Sequence, residues 1–536
     1  MVPPTGEKDA GLADVAVAVP EPSSASTEEA RLSIRQRLAL FTPLTLFTML
    51  YTASCAFNFG YDVGTFGGVQ AMQSFAHKFG EYNETKKAWA LSAYLSSLMT
   101  ALPFLAKALG VVVGAWLSER FGRKLMFVAL IACCYIGVTL QVAATTPAQF
   151  TVGRCLTFAA TGLTVIGVPI YLAETSPREL RGMMNATIQL MISLGGLVAS
   201  LVNLGTKNMT GDKAWQIPVG VQYVAPVFLT IGWFVLPESP RWLISRNQND
   251  RALQSLRRLS KKSKSAAELD AEIAALYSAD ANKGKGTWRE VFDRKNRVRT
   301  SVAILVMFGQ QITGQAFVSQ YSVVFYVSQG FASKAFLYGV LGAVAGVVCV
   351  AITWLLVDSI GRRTLLLLGG TFMAIFIFIV GGISTATHPS DAARHTLVAS
   401  VILFSAAYSL SWAPISYVVV SEVASNRVKE KTNLLACVVS VLTTFVTSFT
   451  APYLINASYA NLGGKVGFIY GSICWAILVL AYLYVPELKG RSLEEVDQLF
   501  SSGQPLRKFK HIRTKPVEED ASGWSWKDRS VTSASV

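Results

Sequence analysis

Residues 116–124 read WLSERFGRK, and residues 354–363 read WLLVDSIGRR. Each ends an apolar stretch with an acid, a glycine and a basic pair, and the two acids, Glu119 and Asp358, stand 239 residues apart. The interval returns twice. Glu174 in YLAE and Glu422 in VVSE are 248 residues apart, and Glu238 in PESPRW and Glu487 in PELKGR are 249 apart. Three pairs at nearly one offset identify an internal repeat of about half the chain.

Composition says what is repeated. Of 536 residues 52% are hydrophobic and only 15% charged, with a mean hydropathy of +0.41, too apolar for an ordinary soluble protein. Uncharged runs of about 20 residues, the length of a helix that crosses a bilayer, recur at 42–68, 89–117, 125–143, 149–173, 183–204, 215–236, 300–325, 335–357, 364–383, 397–421, 432–455 and 466–485. These are spans 1 to 12. Transmembrane strands would be shorter and would alternate apolar with polar residues. The predicted class is therefore an all-α integral membrane protein of twelve transmembrane helices in two six-helix halves.

The predicted organisation is an acidic, Ser/Pro-rich tail at 1–38 without the pattern of a signal peptide, a first half at 39–240, a polar linker at 241–299, a second half at 300–486, and a tail at 487–536. The linker carries helical patterns such as AAELDAEIAALY (266–277), and the last tail opens on a capping box, Ser492 to Glu495. All seven cysteines fall within spans and read as small packing residues.

Lysine and arginine set the orientation. Arg120, Arg123 and Lys124 follow span 2, Arg362 and Arg363 follow span 8, and 241–299 holds 15 basic against 7 acidic residues. These loops are expected in the cytoplasm, together with both termini, in a multi-pass protein of the cell membrane. The sequons at Asn83, Asn208 and Asn456 then fall outside and are the expected glycosylation sites, whereas Asn185 falls at the inner start of span 5. The net charge of +15 is on this reading a topology signal, and no nucleic-acid partner is expected.

GAWLSERFGRK (114–124), VGRCL (152–156), PIYLAETSPRELRG (169–182), PESPRWL (237–243), QQITG (310–314), VDSIGRR (357–363) and VPELKGRSLEE (485–495) resemble, in this order, the signatures of the sugar porter family of the major facilitator superfamily, with a fungal flavour. The resemblance covers about residues 45–500. It implies a secondary active transporter that imports a mono-, di- or oligosaccharide with protons by alternating access, working as a monomer and without cofactor or metal. The alternatives are a facilitative uniporter, a sugar sensor, or a permease for polyols, inositol or quinate. An enzyme is not expected, because no nucleophile with a base, metal-ligand cluster or phosphate-binding glycine loop is present.

Acids and arginines at helix ends can pair with one another and with the helix dipole. Glu119, Arg120, Arg123, Glu174, Arg178, Glu238 and Arg241 are expected to form one cytoplasmic network, and Asp358, Arg362, Arg363, Glu422, Arg427 and Glu487 a second. Such networks would latch one side of a two-state transporter. A static role in assembly is the alternative.

Three ionisable residues lie well inside spans: Asp62 in FNFGYDVG, Lys107 and Arg154. Charge at that depth is costly and marks function by default. The resemblance makes Asp62 and Arg154 proton-coupling partners; the stem of Lys107 is expected to snorkel to an interface.

By the same resemblance Gln189, Gln310 and Gln311 match sugar-binding amides, Gly314 stands where span 7 can bend, and Tyr417 replaces a frequent tryptophan. Gln315, Tyr321 and Trp412 are further candidates. Amides exchange hydrogen bonds with hydroxyl pairs, and aromatic faces cover the apolar side of a sugar ring. The chain departs from the pattern at Ala316 and Gly346, each in place of an asparagine, and within CLTFAAT (155–161), where a glycine pair is usual. Loss of two amides with gain of room leaves a larger sugar open.

Overall fold

The computed structural model describes residues 42–83, 88–176, 181–260, 273, 286–386, 388–425, 427–456, 459–491 and 493–512. The expected linker helix at 266–277 lies outside them save for residue 273, as do Arg178 and Ser492. Among the described residues eleven helices are long and apolar enough to cross a membrane: Ala93–Phe121, Arg123–Val142, Pro147–Thr175, Thr187–Thr206, Lys213–Trp233, Arg297–Ser328, Ala335–Thr353, Arg362–Ile383, Asp391–Val423, Lys429–Ile455 and Gly463–Tyr484. They are spans 2 to 12.

Span 1 is the helix Pro43–Val69, opened by Thr42, whose hydroxyl accepts the N–H of Thr45 at 3.0 Å, with Pro43 in the first turn. It falls short of that apolarity, and glycines line one of its faces. Gly60, Gly64 and Gly68 repeat every fourth residue along one face, and a Cβ on Gly60 would stand 1.9 Å from the Ile192 carbonyl oxygen of span 5. On span 5, a Cβ on Gly195 would stand 2.1 Å from the Phe57 oxygen. Small residues replace bulky apolar ones because two backbones approach closely there. Asn203 of span 5 seals the contact, donating to the carbonyls of Gly64 at 3.2 Å and Thr65 at 3.1 Å.

Two spans are broken. Span 7 divides into Arg297–Ile312 and Gln315–Ser328 at Gly314, which has φ +93°; a Cβ there would also meet the Tyr470 ring at 2.8 Å. Span 10 divides at Ser411 into Asp391–Leu410 and Trp412–Val423, just before Pro414. Prolines and left-handed glycines interrupt the helical ladder in this way.

Outside the spans lie a short helix, Gln73–Phe79, and a two-stranded antiparallel ribbon, Glu81–Asn83 with Ala88–Ala90, pairing Tyr82 with Trp89. No strand is expected from the sequence pattern. The periodicity of three residues is too short to register. The linker contributes Pro240–Ser245, Asn249–Leu259 and Trp288–Val291, and Leu493–Ser501 follows span 12. All seven cysteines are free thiols.

Hydrogen bonds tie the first six spans to the last six. Gln70 donates to the Gln320 carbonyl at 2.5 Å, Ser97 to that of Phe449 at 2.9 Å, and Lys207 to that of Ser333 at 2.8 Å. These contacts stand where spans 1, 5, 7 and 11 finish, the end of the bundle opposite the repeated acids and arginines.

Candidate functional site

At the repeat, span 3 starts at Arg123 and span 9 at Arg362, each directly after a glycine with a backbone that L-residues avoid: Gly122 at φ +96°, ψ 171° and Gly361 at φ +101°, ψ 157°. The bare glycine lets an acid approach the free N–H groups of the new helix. Glu238 accepts from the N–H of Arg123 at 3.0 Å and of Lys124 at 3.1 Å. Glu487 accepts from Arg362 at 3.0 Å and Arg363 at 3.1 Å. A Cβ on either glycine would lie 2.7 Å from the carboxylate oxygen that caps the helix.

The arginine side chains turn the other way. Arg123 clasps Glu174 with two bonds, Nε at 2.8 Å and Nη2 at 2.7 Å, and Nη1 donates to the Ser118 carbonyl at 2.7 Å. Arg362 clasps Glu422 with Nη2 at 2.9 Å and Nε at 3.2 Å, while Nη1 donates to the Val357 carbonyl at 3.2 Å. Forked guanidinium–carboxylate pairs of this kind are strong and directional. Burial pushes the Glu238 carboxyl above its usual range, opposed by the N–H groups of Ser239, Lys124 and Arg123.

Several other described residues of the expected networks take different partners. Arg363 leaves the acids, donating to the Tyr482 carbonyl at 2.7 Å with its guanidinium 5.0 Å from that ring's centre. Arg427 pairs at 2.7 Å with Glu290 of the linker, an acid that spacing did not reveal. The N–H of Thr287 holds the Glu290 carboxyl below its usual range, with Arg427 adding to the effect. The carbonyls of Glu119 and Arg120 receive the Arg246 guanidinium at 3.0 and 2.9 Å. The side chains of Arg120 and Arg241 form no ion pair with a described residue, and that of Asp358 lies outside the described residues.

Deeper in the bundle, Asp62 and Arg154 are each 1% exposed. Neither Asp62 oxygen has a hydrogen-bond partner. Arg154 spends Nη1 on the Met99 carbonyl at 2.5 Å and lies over the rings of Phe66, 3.9 Å, and Phe158, 4.9 Å, leaving Nε and Nη2 unpartnered. The structure brings the two residues into one buried region without a direct bond. Lys107 does not snorkel: it is 6% exposed, with its ammonium 3.8 Å from the centre of the Phe59 ring.

The sugar candidates fall into two groups. Gln310 donates to the carbonyls of Trp412 at 3.1 Å and Ala413 at 3.0 Å, just past the break in span 10, and Gln311 donates to the Gln310 oxygen at 3.0 Å. Trp412 is itself tied to the Leu366 carbonyl at 3.0 Å, and Tyr321 to that of Ser448 at 3.0 Å. Tyr417 is 43% exposed, Gln189 is half-buried on span 5, and the Gln315 side-chain oxygen is buried without a partner. Ala316 is buried, and a Cβ on Gly346 would touch Ser409 at 3.4 Å. Gln70, Ser97 and Asn203 escaped sequence reading, because an amide or hydroxyl inside a span carries no periodic signal.

Residues 48–500 match the family described as sugar (and other) transporter. The sugar transport protein MST5 of Oryza sativa subsp. japonica is 31% identical over 478 residues, 86% of this chain and 91% of that protein. The high-affinity glucose transporter ght2 of Schizosaccharomyces pombe is 27% identical over 495 residues, 89% and 92% of the two chains. Among solved structures, the partially occluded inward-open xylose transporter XylE from E. coli superposes with a TM-score of 0.69 at 20% identity, covering 84% of this chain and all of that one. XylE is also described as a proton:xylose symporter in a complex with 6-bromo-6-deoxy-D-glucose, TM-score 0.65 at 20% identity over 85% of this chain and 99% of that one. The chain belongs to the sugar porter family of the major facilitator superfamily and is a multi-pass membrane transporter of sugars, not an enzyme.

Proposed function

We propose that the chain imports its sugar together with protons, by alternating access, across the cell membrane, as a monomer with both termini in the cytoplasm. The observation that carries the proton coupling is Asp62, buried at mid-span with both oxygens unpartnered, in the same region as an Arg154 that is only partly satisfied. Two such groups gain from pairing when Asp62 is ionised and separate when it is protonated. A proton can therefore alter how spans 1 and 4 pack. The clasps Arg123–Glu174 and Arg362–Glu422 serve as latches at the cytoplasmic side, and Gln189, Gln310, Gln311, Gln315, Tyr321, Trp412 and Tyr417 contribute to the sugar site around the breaks of spans 7 and 10.

The test is uptake of labelled sugar into proteoliposomes with an imposed pH gradient. Accumulation that a protonophore abolishes supports symport. Equilibration unaffected by gradient and protonophore makes the protein a facilitator.

A further inference from the structure

Lys107 has no place in the mechanism above. It follows Pro103 by one turn in span 2, at a junction where Phe104 and Ala108 of that span, Phe158 of span 4 and Val441 of span 11 form one apolar cluster, with Val63 of span 1 against it. This is where the first six spans meet the last six, the region in which transporters of repeated architecture hold their substrates. The ammonium lies over the Phe59 ring, and no described residue offers it a hydrogen bond or an ion pair.

Lys107 and Arg154 bring two positive charges into the interior against one carboxylate, Asp62, which is bonded to neither. A ring face offsets only part of the cost of burying a cation, and an uncompensated buried charge is strongly unfavourable. An anion at the ammonium would supply that compensation.

We propose that Lys107 binds a carboxylate of the transported molecule, which makes the substrate an acidic sugar such as a uronate or aldonate. The proposal rests on the reading of the chain as a sugar transporter. A carboxylate at the ammonium forms a charge-assisted hydrogen bond that a neutral sugar's hydroxyl cannot match, a difference worth about tenfold in affinity.

The test is isothermal titration of the purified full-length protein with glucose and with glucuronate. The wild type is expected to bind glucuronate at least about tenfold more tightly than glucose. Lys107→Gln should close that gap by weakening glucuronate about tenfold more than glucose, and Lys107→Arg should keep most of it. Glucose bound as well as or better than glucuronate by the wild type overturns the proposal while leaving sugar transport intact, and that comparison needs no variant to fold. An equal loss for both ligands in Lys107→Gln overturns it too. Binding of neither sugar by a monodisperse wild type overturns both this proposal and the transporter reading on which it rests.

Discussion

Glu238 accepts the backbone N–H of Arg123 at 3.0 Å across 115 residues of chain, while the side chain of Arg123 is given wholly to other partners. One arginine thus fixes two joints, the start of span 3 through its backbone and the end of span 4 through its guanidinium. Glu487, Arg362 and Glu422 repeat the arrangement in the second half. The glycine before each arginine makes it feasible, because any side chain there would occupy the place of the capping carboxylate.

Gly122→Ala and Gly361→Ala are therefore expected to destabilise by about 1–3 kcal/mol each from the backbone alone, and further through displacement of Glu238 or Glu487. Gly490 also has positive φ, +72°, but a Cβ there meets nothing within 4 Å, so Gly490→Ala reports the backbone cost without the clash. Thermal unfolding in detergent measures the difference. Equal shifts for all three variants would mean that the capping contact contributes nothing.

Arg123→Ala and Arg362→Ala should each remove a forked ion pair, with individual charged hydrogen bonds worth about 1.5–3 kcal/mol. If the clasps latch the cytoplasmic side, both variants slow net uptake several-fold or more and change sugar affinity at the outer side less. Lysine should rescue poorly, since a point charge cannot reproduce two parallel bonds. Unimpaired transport in both alanine variants, with reduced thermal stability, would leave only an assembly role.

How much of this was legible in the sequence depends on what each feature needs. The spans and the pairing of Glu238 with Glu487 at one offset follow from local pattern and repetition, and the bend of span 7 at Gly314 from the family resemblance. Directions of long side chains do not. Arg362 and Arg363 are neighbours with the same charge, yet one reaches Glu422 and the other the Tyr482 carbonyl of span 12; only packing separates them. Arg427 found its acid in the linker, at Glu290, outside the repeat altogether. Its charge deep inside an apolar span singled out Lys107, but its stem is buried rather than reaching an interface. Span 1 carries glycines and polar residues where it packs against span 5.

Topology gives a separate prediction. Asn208 just follows span 5, Asn456 ends span 11 and Asn83 lies in the ribbon after span 1, all at the end opposite the arginine clasps. If that end faces outward, glycosylation is confined to Asn83, Asn208 and Asn456, Asn185 stays unmodified, and the linker at 241–299 resists protease added to intact cells. Sugar found on Asn185, or cleavage of the linker from outside, would invert the assignment.

Energy coupling supplies the last prediction, and it turns on Asp62. Neither of its oxygens has a hydrogen-bond partner, and a rearrangement that brings the Arg154 guanidinium into direct contact would further stabilise the ionised form. Its proton affinity then differs between conformations, and a ligand shifts an equilibrium only through such a difference. Asp62→Asn fixes the side chain in the shape of the protonated acid. It should abolish accumulation against a gradient and the dependence of uptake on external pH, while exchange of sugar across the membrane continues at a measurable rate. Counterflow and gradient-driven uptake, measured side by side in proteoliposomes, separate these effects. A variant that still concentrates sugar in a proton-driven system would move the coupling site elsewhere, and loss of exchange together with accumulation would make Asp62 a structural residue, holding spans 1 and 4 in register rather than carrying the proton.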